Sequence, residues 1–212
     1  MRVRGGKRNS EQGFSMLEVL TVIALVAVLS GMAIMATNST GNFSRANSAM
    51  YAVISQLRTA RQIALTKRRN VLISFTAPNK IQLTVETLAG EAPATAIAPA
   101  YLNDGAAGGL QFYVYPGTPD TPMGFGNSSS ITFTPTTGGT SGLAVLFSTQ
   151  GSLVGTTAGS GYNTVGDNNP VNASIFMAIP GQPNTARAVT VMGTTGRVRS
   201  YSWTGSSWQE EQ

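Results

Sequence analysis

The sequence predicts an α+β fold in which a long N-terminal helix packs on an antiparallel β-sheet head. Residues 19–36 carry no charge, apolar or small residues then recur at helical spacing up to residue 65, and short β-branched or aromatic runs begin at residue 71. We therefore divide the chain into a basic leader (1–13), a transmembrane helix (14–36), an amphipathic continuation of that helix (37–69) and a β-rich globular head (70–212).

Composition limits the class of protein. The 212 residues include no cysteine and no histidine, which excludes disulfides, thiol nucleophiles, imidazole bases and the common zinc ligand sets. The acids Asp104, Asp120 and Asp167 are isolated in loop-like segments, and no phosphate-binding glycine motif with its lysine is present. We therefore predict a protein that is not an enzyme and that needs no metal or cofactor.

The basic charge is concentrated at the N-terminus. The net charge is +5, of which the first thirteen residues carry +3 and the rest of the chain +2. The 18 uncharged residues at 19–36 are long enough to span a bilayer as a helix. Because cationic flanks remain on the cytoplasmic side, the remainder of the chain is predicted to lie across the membrane.

Three interpretations of this segment compete: a secretory signal, a plain membrane anchor, and a leader cut before the apolar stretch. The sequence Gly31-Met32-Ala33 offers the small residues of an ordinary signal cleavage site. Glu18 argues against the first two interpretations, because a carboxylate near an apolar span costs up to about 2.5–3.5 kcal/mol and needs a function.

The junction that begins Gly13-Phe14 and includes Glu18 resembles the class III leader junction of type IV pilins and type II secretion pseudopilins. The resemblance implies cleavage after Gly13 by a prepilin peptidase and N-methylation of Phe14. It places Glu18 at the fifth mature position, where the family has glutamate. It also implies a single-pass protein of the bacterial inner membrane, with its head in the periplasm or outside, which joins other pilins or pseudopilins through its N-terminal helix.

Simple physical arguments agree with this resemblance. Gly13 has no side chain to obstruct a peptidase that approaches the backbone. Glu18 lies four residues, or roughly 6 Å, beyond Phe14 along a helix, where its carboxylate can pair with the Phe14 amine of a neighbouring subunit. Such a pair would select the axial register during assembly.

The helix is predicted to extend to about residue 69, a length on the order of 80 Å, which resembles the long first helix of pilins. The family often has a proline at the position of Met35, so any break in this helix is expected at Gly31 or at 38–42, and the sequence leaves open whether the helix is continuous. Five cations cluster at the C-terminal end: Arg58, Arg61, Lys67, Arg68 and Arg69. They either complement the helix dipole or form an anion-facing patch.

Eight strands are predicted in the head, in one or two antiparallel sheets: 71–76, 81–87, 110–115, 131–134, 143–147, 175–179, 188–192 and 198–203. Several head segments, among them VLFSTQGSL and AVTVMGTTGRVRSYSW, resemble the GspH/FimT family of minor pilins and pseudopilins. In one branch of that family a C-terminal Gly-Arg-x-Arg element is implicated in DNA uptake by transformation pili.

That element is Gly196-Arg197-Val198-Arg199 in this chain. Strand alternation places Arg197 and Arg199 on one side, and Gly196 permits a tight turn before them. The sequence leaves three hypotheses open: a solvated strand in a filament subunit, a DNA site formed by Arg187, Arg197 and Arg199 with Tyr201 and Trp203 nearby, and a conventionally anchored β-rich binding domain with no role in a filament.

Overall fold

The computed structural model describes residues 14–86, 95–102, 109–134, 144–156 and 165–211. They divide into two compact units, one up to Gly41 and one from Asn42 onward. One α-helix, α1 (Met16–Lys67), contributes to both units. The fold class is α+β with antiparallel sheets, as predicted, and the leader at 1–13 lies outside the described residues.

Helix α1 begins where the Ser15 carbonyl oxygen accepts hydrogen bonds from the backbone N–H groups of Glu18 and Val19, at 3.0 and 3.2 Å. The helix continues through Gly31 and 38–42, the two places where the sequence would allow a break, so the question of its continuity is answered. The span contains no proline, and a single glycine costs a helix only about 1 kcal/mol relative to alanine.

The C-terminal end of α1 is closed by a Schellman-type turn. The Arg69 N–H donates to the Ala64 carbonyl at 3.3 Å. Arg68, which lies between the end of the helix and this donor, has a φ of 50°, in the left-handed region. Glycine is the usual residue at such a left-handed position, because a Cβ atom is strained there. The helix therefore ends at Lys67, two residues before the predicted boundary. Arg68, at the left-handed position that follows, is less stable there than glycine would be.

We expect Arg68→Gly to stabilise the protein. Removal of the Cβ strain outweighs the extra freedom of glycine in the unfolded chain, and the free energy of unfolding should rise by about 0.5–1 kcal/mol. Denaturant unfolding of the full chain in detergent, followed by tryptophan fluorescence, measures this. The neighbouring change Lys67→Gly, inside the helix, should instead lower stability. A loss of stability in Arg68→Gly would contradict the left-handed assignment.

Thirteen strands are present among the described residues. In chain order they are β1 (Val71–Thr76), β2 (Lys80–Val85), β3 (Thr95–Ala96), β4 (Ala100–Tyr101), β5 (Gln111–Phe112), β6 (Ile131–Thr134), β7 (Ala144–Phe147), β8 (Leu153–Thr156), β9 (Val165–Pro170), β10 (Asn172–Ile179), β11 (Gln182–Met192), β12 (Arg197–Trp203) and β13 (Trp208–Glu211).

These strands form two antiparallel sheets. The first has the order β3-β2-β1-β7-β8-β9, with β4 also paired to β2. The second has the order β13-β12-β11-β10-β5, with β6 also paired to β10. Backbone hydrogen bonds connect the two sheets: the Leu153 N–H donates to the Gly193 carbonyl at 2.8 Å, and the Val171 N–H donates to the Leu153 carbonyl at 2.9 Å.

All eight predicted strands have a counterpart; the bounds of β1 and β6 agree with the prediction and those of the other six differ. The segment predicted at 110–115 is a strand only at β5, whereas β11 begins six residues before its prediction. The sequence patterns missed β3, β4, β8, β9 and β13. Most of these are short or polar, so they lack the alternation of apolar residues that identifies a strand.

One apolar core lies between α1 and the two sheets. From the helix it takes Ala46, Ala49, Met50, Val53, Ile54, Leu57, Ala60 and Ala64, all of them buried. In β10 the residues that face this core are Ala173, Ile175, Met177 and Ile179, which alternate as expected for a strand with one face on the core. The C-terminal half of α1 is thereby fixed against the sheets, which determines where its arginines lie.

Candidate functional site

The first part of α1 exposes apolar side chains on every side. Phe14, Met16, Leu17 and Leu20 are each more than 65% exposed, and large apolar residues from Val22 to Leu29 are at least half exposed. Glu18 is the one charged residue between 14 and 31 and lies in the first helical turn. A helix that is apolar all round needs a membrane or partner helices to cover it.

Among the residues that the structure describes, no helix is both long enough and apolar enough to cross a membrane.

A groove in the head brings together two groups of residues that the sequence showed separately. It is lined by one stripe of α1 and by the turn between β11 and β12, and its volume is about 530 Å³. The helix contributes Arg58, Arg61, Gln62, Leu65 and Thr66, the turn contributes Thr195 and Gly196, and the start of β12 contributes Arg197 and Val198. We call this the arginine groove. Two of its arginines, Arg58 and Arg61, precede the third, Arg197, by more than 130 residues in the chain.

Arg61 is held in place by two glycine turns. Its Nε donates to the Gly151 carbonyl at 3.2 Å, in the turn between β7 and β8. Gly196, in the turn between β11 and β12, has a φ of +63°, and a Cβ there would lie 2.3 Å from the Gly151 carbonyl oxygen and 2.7 Å from the Arg61 Nε. Only glycine fits this position, so Gly196 lets two turns close over the Arg61 side chain.

The other two arginines of the groove are exposed. Among the residues that the structure describes, neither the Arg58 nor the Arg197 guanidinium has a hydrogen-bond or ion-pair partner. Within the described ranges, no acidic residue lines the groove. Because a guanidinium presents a planar fork of donors that matches carboxylate and phosphate groups, the groove is suited to an anion.

Arg187 does not belong to this surface, and its predicted place beside Arg197 and Arg199 is wrong. Its side chain is fully buried against α1. The Arg187 Nε donates to the Asn47 Oδ1 at 2.8 Å, its Nη1 donates to the carbonyls of Asn184 and Ala186 at 3.0 and 2.8 Å, and its guanidinium carbon lies 4.5 Å from the centre of the Phe43 ring. No phosphate can reach it in this arrangement.

The charge of Arg187 follows from its surroundings. Burial lowers the pKa of its guanidinium, and the nearby Glu211 and Tyr51 oppose that shift. Arginine nevertheless stays protonated in proteins. The head therefore contains a buried cation, which is stabilised by carbonyl oxygens and by the face of an aromatic ring.

The remaining members of the predicted DNA site also separate. Arg199 is on the same side of β12 as Arg197, as alternation predicted, but its Nη1 lies 3.1 Å from the Glu210 Oε2 of β13 in an ion pair. Tyr201 is buried, and the Trp203 ring packs on Trp208 with 5.3 Å between centroids. Neither of these two aromatic side chains lines the arginine groove.

The sequence indicated the basic end of α1 and the Gly-Arg-Val-Arg element but not that the two meet. The spacing of Arg58, Arg61 and Leu65 marks one helical stripe and was the available signal. Of the residues predicted for the DNA site, Gly196 and Arg197 lie in the groove, and Arg58 and Arg61 come from the cation cluster at the end of α1. Gly13 lies outside the described residues, and nothing in the structure tests the roles predicted for Phe14 and Glu18.

Comparison with known proteins adds one match. The family model described as the prokaryotic N-terminal methylation motif matches residues 8–34. The chain therefore carries the signal of type IV pilin-like precursors, and the match covers the predicted cleavage position and Glu18. No match was found among curated proteins or among solved structures.

Proposed function

We propose that this chain is a non-enzymatic minor pilin or pseudopilin, a filament subunit that a prepilin peptidase cleaves after Gly13 and methylates at Phe14. The observation that carries the proposal is the methylation motif at residues 8–34. The helix that follows supports it, because its apolar side chains are exposed on all sides and call for a lipid or protein environment.

The proposed mechanism uses the helix twice. Before assembly, 14–36 anchors the chain as a single span of the bacterial inner membrane, with the head in the periplasm or outside. After leader removal, the same apolar surface packs against neighbouring helices in the filament. The Glu18 carboxylate then pairs with the methylated Phe14 amine of an adjacent subunit, because an unpaired charge is costly in an apolar environment.

The mature N-terminus tests this proposal directly. Intact mass and N-terminal sequencing of the chain from a host with prepilin peptidase should show a start at N-methylated Phe14. A peptidase-deficient host should retain residues 1–13, and serves as the control. A start at Ile34 would indicate ordinary signal cleavage, and a start at Met1 in both hosts would indicate a plain anchor; either result would contradict the proposal.

The same proposal includes membership of the GspH/FimT family. The chain would then be a subunit of a type II secretion pseudopilus or of a type IV pilus. The supporting segments include the two turns beside Arg61, since VLFSTQGSL contains Gly151 and AVTVMGTTGRVRSYSW contains Gly196 and Arg197. These segments resemble the family in sequence, and their glycines hold Arg61 between them.

DNA capture is a second candidate function, and the meeting of Arg58, Arg61 and Arg197 in one groove is the observation that favours it. Three other observations weaken it: Arg187 is buried, Arg199 is paired with Glu210, and Tyr201 is buried. Salt-dependent binding of duplex DNA by the full chain would support this function.

A further inference from the structure

We propose that the arginine groove is a docking site for an extended acidic peptide segment, whose carboxylate and aliphatic side chains lie on one face, contributed by a partner protein. Two properties of the groove lead to this ligand: its unbalanced positive charge and the apolar side chains among its lining.

The charge is arranged for carboxylates. Arg58, Arg61 and Arg197 enter one concave surface, and no acidic residue among those that the structure describes lines it. The Arg61 side chain is fixed by the Gly151 carbonyl through Nε, and its position is confined by the Gly196 backbone. A guanidinium that is already immobilised loses little conformational entropy when a carboxylate binds. Gln62, Thr66 and Thr195 supply neutral hydrogen-bonding groups beside the arginines.

Apolar side chains are accessible in the groove. Leu65 is 43% exposed although it lies next to the core-facing stripe of α1, and the partly buried Val198 also lines the groove. Covering such side chains contributes about 25 cal/mol per Å² of apolar surface removed from water. A ligand that offers only charge would leave this surface uncovered, whereas an aliphatic side chain on the same face as the carboxylates would cover it.

Nucleic acid fits the groove less well. Single strands are held by aromatic side chains on which bases stack, and no aromatic residue in the described part of the chain lines this groove. The aromatic pair Trp203 and Trp208 is not part of the lining either. Arg199, which would extend the cationic surface along β12, is neutralised by Glu210. The cations thus form a compact cluster and not a stripe that follows a phosphate backbone.

If the chain is a filament subunit, the peptide belongs to a neighbouring subunit. Only this origin of the peptide rests on the proposed function; its chemistry is argued from the groove itself. The proposal about the groove is therefore tested with peptides alone. Its outcome is independent of whether Phe14 is methylated or the chain assembles.

The experiment measures fluorescence anisotropy of labelled probes with the full chain in an uncharged detergent. The main probe is a short peptide with the order glutamate, serine, leucine, serine, glutamate, which in an extended conformation has its carboxylates and its leucine on one face. Matched probes replace glutamate by glutamine, or leucine by serine, and a short DNA duplex provides a nucleic-acid probe. The groove variant is Arg58→Gln with Arg197→Gln. The control variant is Arg45→Gln with Arg199→Gln, which removes the same number of arginines outside the groove.

We expect the glutamate–leucine peptide to bind the parent and the control variant with similar affinity, and the groove variant at least about tenfold more weakly. The glutamine and serine probes should each bind the parent more weakly than the main probe. Equal binding of the main probe by both variants, or equal binding of the glutamine probe by the parent, would overturn the proposal. Tighter binding of the duplex, lost in the groove variant, would also overturn it and assign the groove to DNA.

Discussion

Under the proposed function, Glu18→Ala should reduce incorporation of the chain into filaments at least about tenfold, while membrane insertion and leader removal continue. Glu18 is the one charge between residues 14 and 31, so it alone in this segment can pair with the amine of a neighbouring Phe14. The attraction between the carboxylate and the amine is stronger in an apolar environment than in water. A loss of about 1.4 kcal/mol suffices for a tenfold change in an assembly equilibrium. The amount of the variant in sheared, purified filaments, relative to the amount in the membrane, measures the effect.

A matched control lies one turn further along the same helix. The Thr21 Oγ1 donates to the Glu18 backbone carbonyl at 2.8 Å, so Thr21→Ala removes a polar group without removing the charge. We expect this variant to assemble at the parental level. Parental assembly of Glu18→Ala as well would exclude the pairing role, whereas loss of leader cleavage in Glu18→Ala would show that the residue acts earlier, in recognition by the peptidase.

Arg187→Ala should lower the free energy of unfolding of the head by about 3–5 kcal/mol. The change opens a cavity where a large side chain is fully buried, and it removes the donors to Asn47 and to the carbonyls of Asn184 and Ala186. It also removes the cation from the Phe43 ring. Denaturant unfolding of the full chain in detergent, followed through Trp203 and Trp208, measures the loss.

Two comparisons make that result specific. Arg187→Met keeps most of the apolar volume and buries no charge, so it should cost less than Arg187→Ala. Arg199→Ala removes an exposed ion pair with Glu210 and should change stability by no more than about 1 kcal/mol. If Arg187→Ala were as stable as Arg199→Ala, the buried position of Arg187 would be wrong and its predicted surface role would regain support.

Long, strongly periodic segments were predictable. The bounds of α1 differ from the prediction by two residues at each end, because its apolar spacing and its lack of proline are local properties of the chain. Strands β1 and β6 match their predicted bounds for the same reason. Strands β9 and β13 were missed, because VGDNNP and WQEE are polar and their pairing depends on a neighbouring strand that the sequence pattern does not show.

The arginine side chains illustrate the limit of sequence reasoning. Arg187, Arg197 and Arg199 have the same chemistry and lie within thirteen residues of one another, yet one is buried on α1, one lines a groove and one is paired with Glu210. Strand alternation correctly placed Arg197 and Arg199 on one side of β12. It does not reveal which neighbouring element covers a given position.

The sequence by itself determined the methylation motif at residues 8–34, the uncharged stretch at 19–36 and the position of Glu18, because these depend on consecutive residues. Tertiary structure alone decided that Arg58 and Arg61 meet Arg197, that Gly196 must be glycine because the Gly151 carbonyl lies against it, and that Arg187 is buried. The physical reason is packing between elements distant in sequence, since it determines which side chains reach solvent and which become part of the core.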